Sequence, residues 1–416
     1  MAITKNLQYY KFSAYGFLKN LRFFDAFFIL FLVDAGMTYS QIGILYAVRE
    51  IIINIFEIPS GIIADTFGRK TSLIASFIIY ILSFAVFYFT KDFWFFMLGF
   101  SLYGMADAFR SGTHKGMMMD YLKSKSWANQ KILYYGYTRS WSQKGSAISS
   151  LLAGILVFYT GEYQNIFLYS MIPYLINLFL IISYPKDLNY PMNKKKTKPK
   201  VKMNTLSLIQ TIKQPKVLML INTSALFSAY LKAVKDYIQP LMVNLALMIP
   251  VLMYVDVDKK NGLLIGVFYF IIYIITSRAS QLASKMASKA LRNIPYLTLV
   301  LGFFAGIACG VFYFYEMWIL SMLFFVIVYI IENLRKPILT GYVTDHVPGE
   351  ILTSVLSVQS LLKTAITAIL ALVFGVLADM FGIGISFIGV SLSLVIISGI
   401  VNIISTHKQQ ETTSLK

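Results

Sequence analysis

Apolar residues run through this chain in blocks of about twenty, the length a helix needs to cross a bilayer. Such blocks lie near 12–35, 39–60, 72–90, 93–114, 131–160, 165–184, 217–240, 262–282, 294–315, 317–337, 351–374 and 383–405. The pattern predicts an all-α integral membrane protein with twelve transmembrane helices. Cations mark alternate corners between the blocks: Lys5 and Lys11; Arg69 and Lys70; Lys115, Lys123, Lys125 and Lys131; Lys194 to Lys202; Lys285, Lys289 and Arg292; Arg335 and Lys336. The corners at 36–39, 91–92, 161–164, 256–261, 316 and 382 carry few. Basic loops stay on the cytoplasmic side, so both termini are expected there and the chain is expected in the plasma membrane as a multi-pass protein.

Between the sixth and seventh blocks the composition turns to Pro, Lys and Asn. The expected organisation is therefore an N-terminal six-helix bundle over 1–184, a basic cytoplasmic linker over 185–216 and a C-terminal six-helix bundle over 217–416. The lysines from Lys194 to Lys202 read as a solvated linker, or as a patch for anionic lipid head groups at about 1 kcal/mol per cation. An internal repeat supports duplication. Asp107, Arg110 and Asp120 recur as Glu332, Arg335 and Asp345, each pair 225 residues apart, and Gly116 recurs as Gly341.

Composition agrees with this class: 57% of the 416 residues are hydrophobic and 13% charged, unlike a soluble domain. The formal charge of +18 sits in short loops and the central run, so it marks topology and not a nucleic-acid partner. Residues 1–10 lack the short apolar core and small-residue cleavage site of a signal peptide, so the first block is expected to remain as a helix. A single cysteine, Cys309, excludes a disulfide framework. His114, His346 and His407 are dispersed, so no metal site is expected. Gly-Lys-Ser phosphate loops, His-Glu-x-x-His and Gly-x-Ser-x-Gly are absent, which argues against an enzyme or an ATP-driven pump.

One corner stands out. In Gly61-Ile-Ile-Ala-Asp65-Thr-Phe-Gly68-Arg69-Lys70 a glycine for a tight turn, a helix-capping acid and two cations fall within ten positions. This order resembles the signature between the second and third helices of the major facilitator superfamily. The resemblance implies two pseudo-symmetric bundles working by alternating access. The first, fourth, seventh and tenth helices would line a central cavity, and the second, fifth, eighth and eleventh would form the interface between halves. It also implies a cytoplasmic gate built from the Asp65 corner with Asp107, Arg110, Asp120, Glu332, Arg335 and Asp345. On the fifth helix, Lys144-Gly145 to Gly154 lacks the proline of the drug/proton antiporter pattern. The run Gly375-Val-Leu-Ala-Asp379-Met-Phe-Gly382 echoes the corner without its cations and reads as a helix terminus with a turn glycine.

Charges inside spanning helices are costly, at least ~2.5–3.5 kcal/mol each at the bilayer centre, and they persist where they face a cavity or a partner. Arg22 and Asp25 share a face of the first helix and read as a substrate or proton site, or as a structural salt bridge. Arg49, Glu50 and Asn54 on the second helix read as a proton-coupling group, or as a pair that holds that helix against the eleventh. Arg139 and Lys144 on the fifth helix, Lys363 on the eleventh, and Lys232, Lys235 and Asp236 near the exit of the seventh complete the candidates. Cations are at least as many as acids here, which leaves room for an anionic or zwitterionic group. Phe23, Phe24, Phe27, Phe28 and Tyr46 read as cavity-lining or lipid-facing, with lipid contact preferred, and Gly302, Gly306 and Gly310 are expected to pack helices closely.

The function these features predict is secondary active transport of a small organic solute by a functional monomer. A proton gradient serves as the drive in place of a cofactor, and export is preferred over import. A lipid flippase or lipid-linked carrier on the same fold, and a nontransporting membrane sensor or scaffold, are the alternatives.

Overall fold

The computed structural model describes residues 4–127, 130–189, 215–250, 254–286, 294–346 and 349–414. All regular structure among them is helical. The expected twelve spans are present, but the first is not the unbroken helix of 12–35. It runs as Leu7–Lys19, a 3-10 turn Phe23–Ala26 and a short helix Phe28–Asp34. Asn20 ends the first piece, its Nδ2 donating to the Gly16 carbonyl at 2.6 Å. An Asn side chain that bonds the backbone one turn back competes with helix propagation, and the chain leaves the helical path there. The seventh span tightens without leaving the helical path, as Pro215–Val234, a 3-10 turn Lys235–Tyr237 and Ile238–Met248, with helical backbone at Val234 and Ile238.

The remaining spans of the N-terminal part are Tyr39–Phe67, Arg69–Phe89, Phe93–Arg110, Lys131–Thr160 and Asn165–Ile182, with a side helix Thr113–Ser124 after the fourth. The C-terminal part continues with Val257–Met286, Ile294–Phe314, Trp318–His346 and Gly349–Ser414. The last is two spans joined at Gly382, whose φ of 84° no helix interior adopts.

By contacts the chain forms two compact units: Met1–Met37, Leu45–Lys196 and Met242–Tyr273 in one, Thr38–Ile44, Thr197–Leu241 and Ile274–Lys416 in the other. Within each unit small residues bring together helices from distant parts of the sequence. In one unit, Gly154 lies so close to Gly262 and Gly266 that a Cβ would strike backbone. In the other, Gly43 meets Ala371 and Gly375 equally tightly. Gly302, Gly306 and Gly310 pack as expected, against Phe227, Tyr230 with Ser391, and Gly384.

The expectation that these aromatics of the first and second spans face lipid is corrected. Phe23, Phe24, Phe27, Phe28 and Tyr46 are all buried, and Phe28 stacks on Phe100 with ring centroids 5.0 Å apart. The broken backbone turns the four phenylalanines inward, and Tyr46 meets Phe28 and Phe100 from the second span.

The Gly68 corner is built as its residues require. Gly68 has φ 103°, and a Cβ there would collide with the Asn189 side chain. Asn189 accepts from the Lys70 backbone N–H through Oδ1 at 3.0 Å, and its carbonyl accepts from Arg69 N–H at 2.7 Å. The residue that follows the sixth span thus caps the third. At the echo of this corner, Asp379 accepts from the backbone N–H groups of Tyr39 at 2.8 Å and Ser40 at 2.7 Å. It caps the second span, a contact typically worth about 0.5–2 kcal/mol.

Replacing Gly68 by Ala combines a strained φ with the Asn189 collision and is expected to cost about 1–3 kcal/mol, read as a lower Tm of the purified protein. Asn189→Ala removes the collision together with the Oδ1 cap on Lys70, so that single variant is the reference for the pair. A double variant as stable as Asn189→Ala alone would show that backbone conformation is not the constraint.

Candidate functional site

Breaking a helix inside a membrane frees backbone groups that water cannot reach, and each must be bonded within the protein. The sixth span supplies the partners. The Phe23 N–H donates to Ser170 Oγ at 3.2 Å, Tyr174 donates its hydroxyl to the Lys19 carbonyl at 3.2 Å, and Asn177 Nδ2 donates to the Tyr15 carbonyl at 3.2 Å. Ser170, Tyr174 and Asn177 are spaced four and three apart, so one helical face carries all of them. Ser170 and Asn177 are fully buried.

The break presents Arg22 and Asp25. Arg22 Nη2 lies 2.8 Å from Asp25 Oδ2, and Nη1 donates to the Tyr103 hydroxyl at 2.8 Å. A small cavity of about 10 Å³ lies beside the pair, lined also by Asn20, Ser149, Ser150 and Tyr273. That is roughly the space of one water molecule. Arg22 Nε and Ser149 Oγ are buried polar atoms without a hydrogen-bond partner, the groups such a water would satisfy.

A larger cavity of about 430 Å³ follows along the first span from Phe12 to Asn20, closed by the fifth span and by the turn after the fourth. Its wall carries Lys19, Arg110, His114, Lys115 and Arg139, and among the described lining residues no carboxylate. His114 stacks on Tyr15 with ring centroids 3.6 Å apart, forming a flat aromatic side. Arg110 is anchored from behind: its Nη2 lies 2.7 Å from Asp107 Oδ1, its Nε donates to the Tyr80 hydroxyl at 2.9 Å, and Tyr80 donates to Asp107.

The other sequence candidates separate by environment. Arg49 and Glu50 form a buried pair, Nη2 to Oε1 3.1 Å, with the guanidinium 4.7 Å from the Tyr46 ring centroid. Asn54 is half-buried one turn further on. Arg139 lines the large cavity, whereas Lys144 is exposed beside Trp141, 4.6 Å from the ring centroid, and lines neither cavity. In the seventh span Lys235 pairs with Asp236 at 3.2 Å in the 3-10 turn; Lys232 and Lys363 are half-buried.

Of the gate candidates, Arg69 pairs with Asp120 at 2.6 Å, and Gly116 has no room for a side chain beneath that guanidinium. Lys70 Nζ donates to the carbonyls of Ile182 at 2.6 Å and Tyr184 at 2.7 Å, closing the end of the sixth span. Gly61 and Asp65 are exposed. The second copy of the repeat is buried: Glu332 accepts from Ser228 Oγ at 2.6 Å, and Arg335 donates to Thr298 Oγ1 at 2.7 Å and to the Thr223 carbonyl at 3.0 Å. The side chain of Asp345 and the lysines from Lys194 to Lys202 lie outside the described residues.

Sequence reasoning missed the part played by Lys19, Asn20, Tyr103 and His114. For Asn20 a signal existed: a polar residue between two cations in the middle of an apolar block. For His114 and Tyr103 there was none, since their partners come from other spans.

The chain matches the Major Facilitator Superfamily over residues 17–371, and it belongs to that superfamily. The MFS-type transporter YxaM of Bacillus subtilis (strain 168) is 23% identical over 367 residues, covering 85% of this chain and 84% of its own. MJ1317 of Methanocaldococcus jannaschii, also an MFS-type transporter, is 32% identical over 159 residues, 37% of each chain. Among solved structures the nucleoside transporter NupG has a TM-score of 0.72 at 12% identity, covering 95% of this chain and 99% of NupG. A bacterial homologue of the human lysosomal transporter Spinster, inward-facing and unoccupied, gives 0.73 at 13% identity and covers 97% and 98%. At such identities the likeness is one of fold. The chain is thus a multi-pass membrane transporter of solutes and not an enzyme.

Ser170→Ala and Tyr174→Phe each strand a backbone group of the break and are expected to lower stability by about 1–3 kcal/mol. Ser183→Ala, at an exposed helix end, is the control. Equal Tm values for all three in detergent would show that the sixth span does not support the break.

Proposed function

We propose that the chain is a secondary active transporter that moves a small organic solute through the cavity beside the break in its first span. The observation that carries this reading is a solute-sized, polar-walled cavity next to an interrupted spanning helix, in a chain of this superfamily. Interrupted helices place backbone groups and ionic side chains where a solute passes.

Proton coupling is the proposed drive. Asp25 is bonded to Arg22 beside a water-sized cavity, so a proton reaching that water would compete with Arg22 for the carboxylate. The alternative read from sequence, that the pair only fixes the first span, is not favoured by a structure in which the span is broken at the pair. Both termini lie in the cytoplasm by the distribution of cations, the chain sits in the plasma membrane and acts as a monomer, and the direction is export. The Asp65 to Lys70 corner, with Asp107, Arg110, Asp120, Glu332, Arg335 and Asp345, forms the cytoplasmic gate in this reading. The Arg69–Asp120 pair, which ties the corner to the side helix, supports it.

Asp25→Asn is expected to abolish proton-driven transport in proteoliposomes while leaving solute exchange without a pH gradient within a few-fold. Unchanged proton-driven transport would remove Asp25 from coupling. For the gate, Arg110→Ala with Arg335→Ala should raise the accessibility of cysteines introduced on the cytoplasmic side. Cys309 is buried and gives a quiet background. Labelling identical to the wild type would leave the gate without support.

A further inference from the structure

The large cavity has a one-sided electrostatic character that its role as a passage does not demand. Lys19, Lys115 and Arg139 reach it without a carboxylate partner among the described residues, and Arg110 adds a guanidinium whose own acid, Asp107, stands behind it. Asn20, Thr138, Ser142 and Gln143 supply neutral hydrogen-bonding groups on the same wall. Lys19 matters most here. It closes the first helical segment deep in the bundle, half-buried, where a lone ammonium is expensive to keep. Three cations converging on a wall without acids repel one another, and an anion that enters relieves that repulsion as well as forming charge-assisted hydrogen bonds. A transporter for cations or for neutral solutes would have no use for the arrangement, and for cations it would be a barrier.

From this we infer that the solute is an organic anion carrying at least two negative charges, as phosphate or carboxylate groups, held by Lys19, Arg139 and Lys115 with Arg110 at the cavity floor. This rests on the reading of the cavity as the solute site. Phosphate chemistry could reach it from a water-soluble compound or from a lipid head group, and the two sources are separable by experiment.

The test uses the full chain purified in neutral detergent, with thermal stability and calorimetric titration as readouts. Glucose 6-phosphate, citrate and pyrophosphate are the soluble anionic probes, glucose is the neutral parent, choline the cation, and short-chain phosphatidic acid the lipid, all at matched ionic strength. At least one soluble anion should raise Tm and bind, with glucose and choline silent. Lys19→Gln and Arg139→Gln should each weaken that binding by about ten-fold or more, the loss expected for one charge-assisted bond. Lys91→Gln, exposed and paired with Asp34 outside the cavity, should leave it unchanged.

If only phosphatidic acid binds, and binding depends on Lys19, the anion site stands and its source is a lipid. If choline or glucose binds as well as the anions, or if binding survives both substitutions, the inference is overturned. If none of the probes binds, it is overturned too. Failure of the transport reading would look different: anion binding lost in Lys19→Gln, with no exchange of the bound anion across a vesicle membrane by the wild type.

Discussion

A backbone that leaves the helix inside a bilayer must find its hydrogen bonds in the protein, because the hydrocarbon offers none. The break after Lys19 is the point in this molecule where that constraint bites. Three polar residues on one face of the sixth span, with Asn20 from the break itself, take up the freed groups. Once the chain has turned there, Phe24, Phe27 and Phe28 are carried into the aromatic core of their unit, and Arg22 and Asp25 are brought to the serine face of the fifth span. The cavities lie where they do because the first span does not run straight.

Charge follows the same logic. Most ionic side chains within the spans are paired at short range: Arg22 with Asp25, Arg49 with Glu50, Arg110 with Asp107, Lys235 with Asp236. Pairing of this kind offsets part of the desolvation cost of each group. The first and seventh spans each carry a cation and an acid at a 3-10 turn. Among the described residues, Lys19, Lys115 and Arg139 line the large cavity without a carboxylate partner. Their excess there is a property of the site and not of the net charge of the chain.

The two glycine-and-aspartate runs show how similar sequence is put to different use. Gly68 and Gly382 both adopt positive φ and both end long helices. At Gly68 the following helix is capped by Asn189 from another segment, and Asp65 stays exposed. At Gly382 it is the aspartate, Asp379, that caps a helix beginning 340 residues earlier. Each glycine is needed for its backbone, while the role of each aspartate is set by what folds against it.

The sequence by itself determined the number of spans, the basic corners, the duplicated acid and cation pattern, the turn at Gly68 and the close packing of Gly302, Gly306 and Gly310. These follow from local apolar length, from local charge and from the freedom of glycine, and they need no knowledge of neighbours. It also marked Arg22 and Asp25, because two charges three residues apart on one helix can hardly avoid each other. Only the tertiary structure decided that the first span breaks, that its aromatics turn inward, that Lys19 and His114 share a cavity while Lys144 points away, and that Arg69 belongs to Asp120. Each of those outcomes depends on which distant span supplies a hydroxyl, an amide or a carboxylate at the right depth, and no periodicity within a span records that.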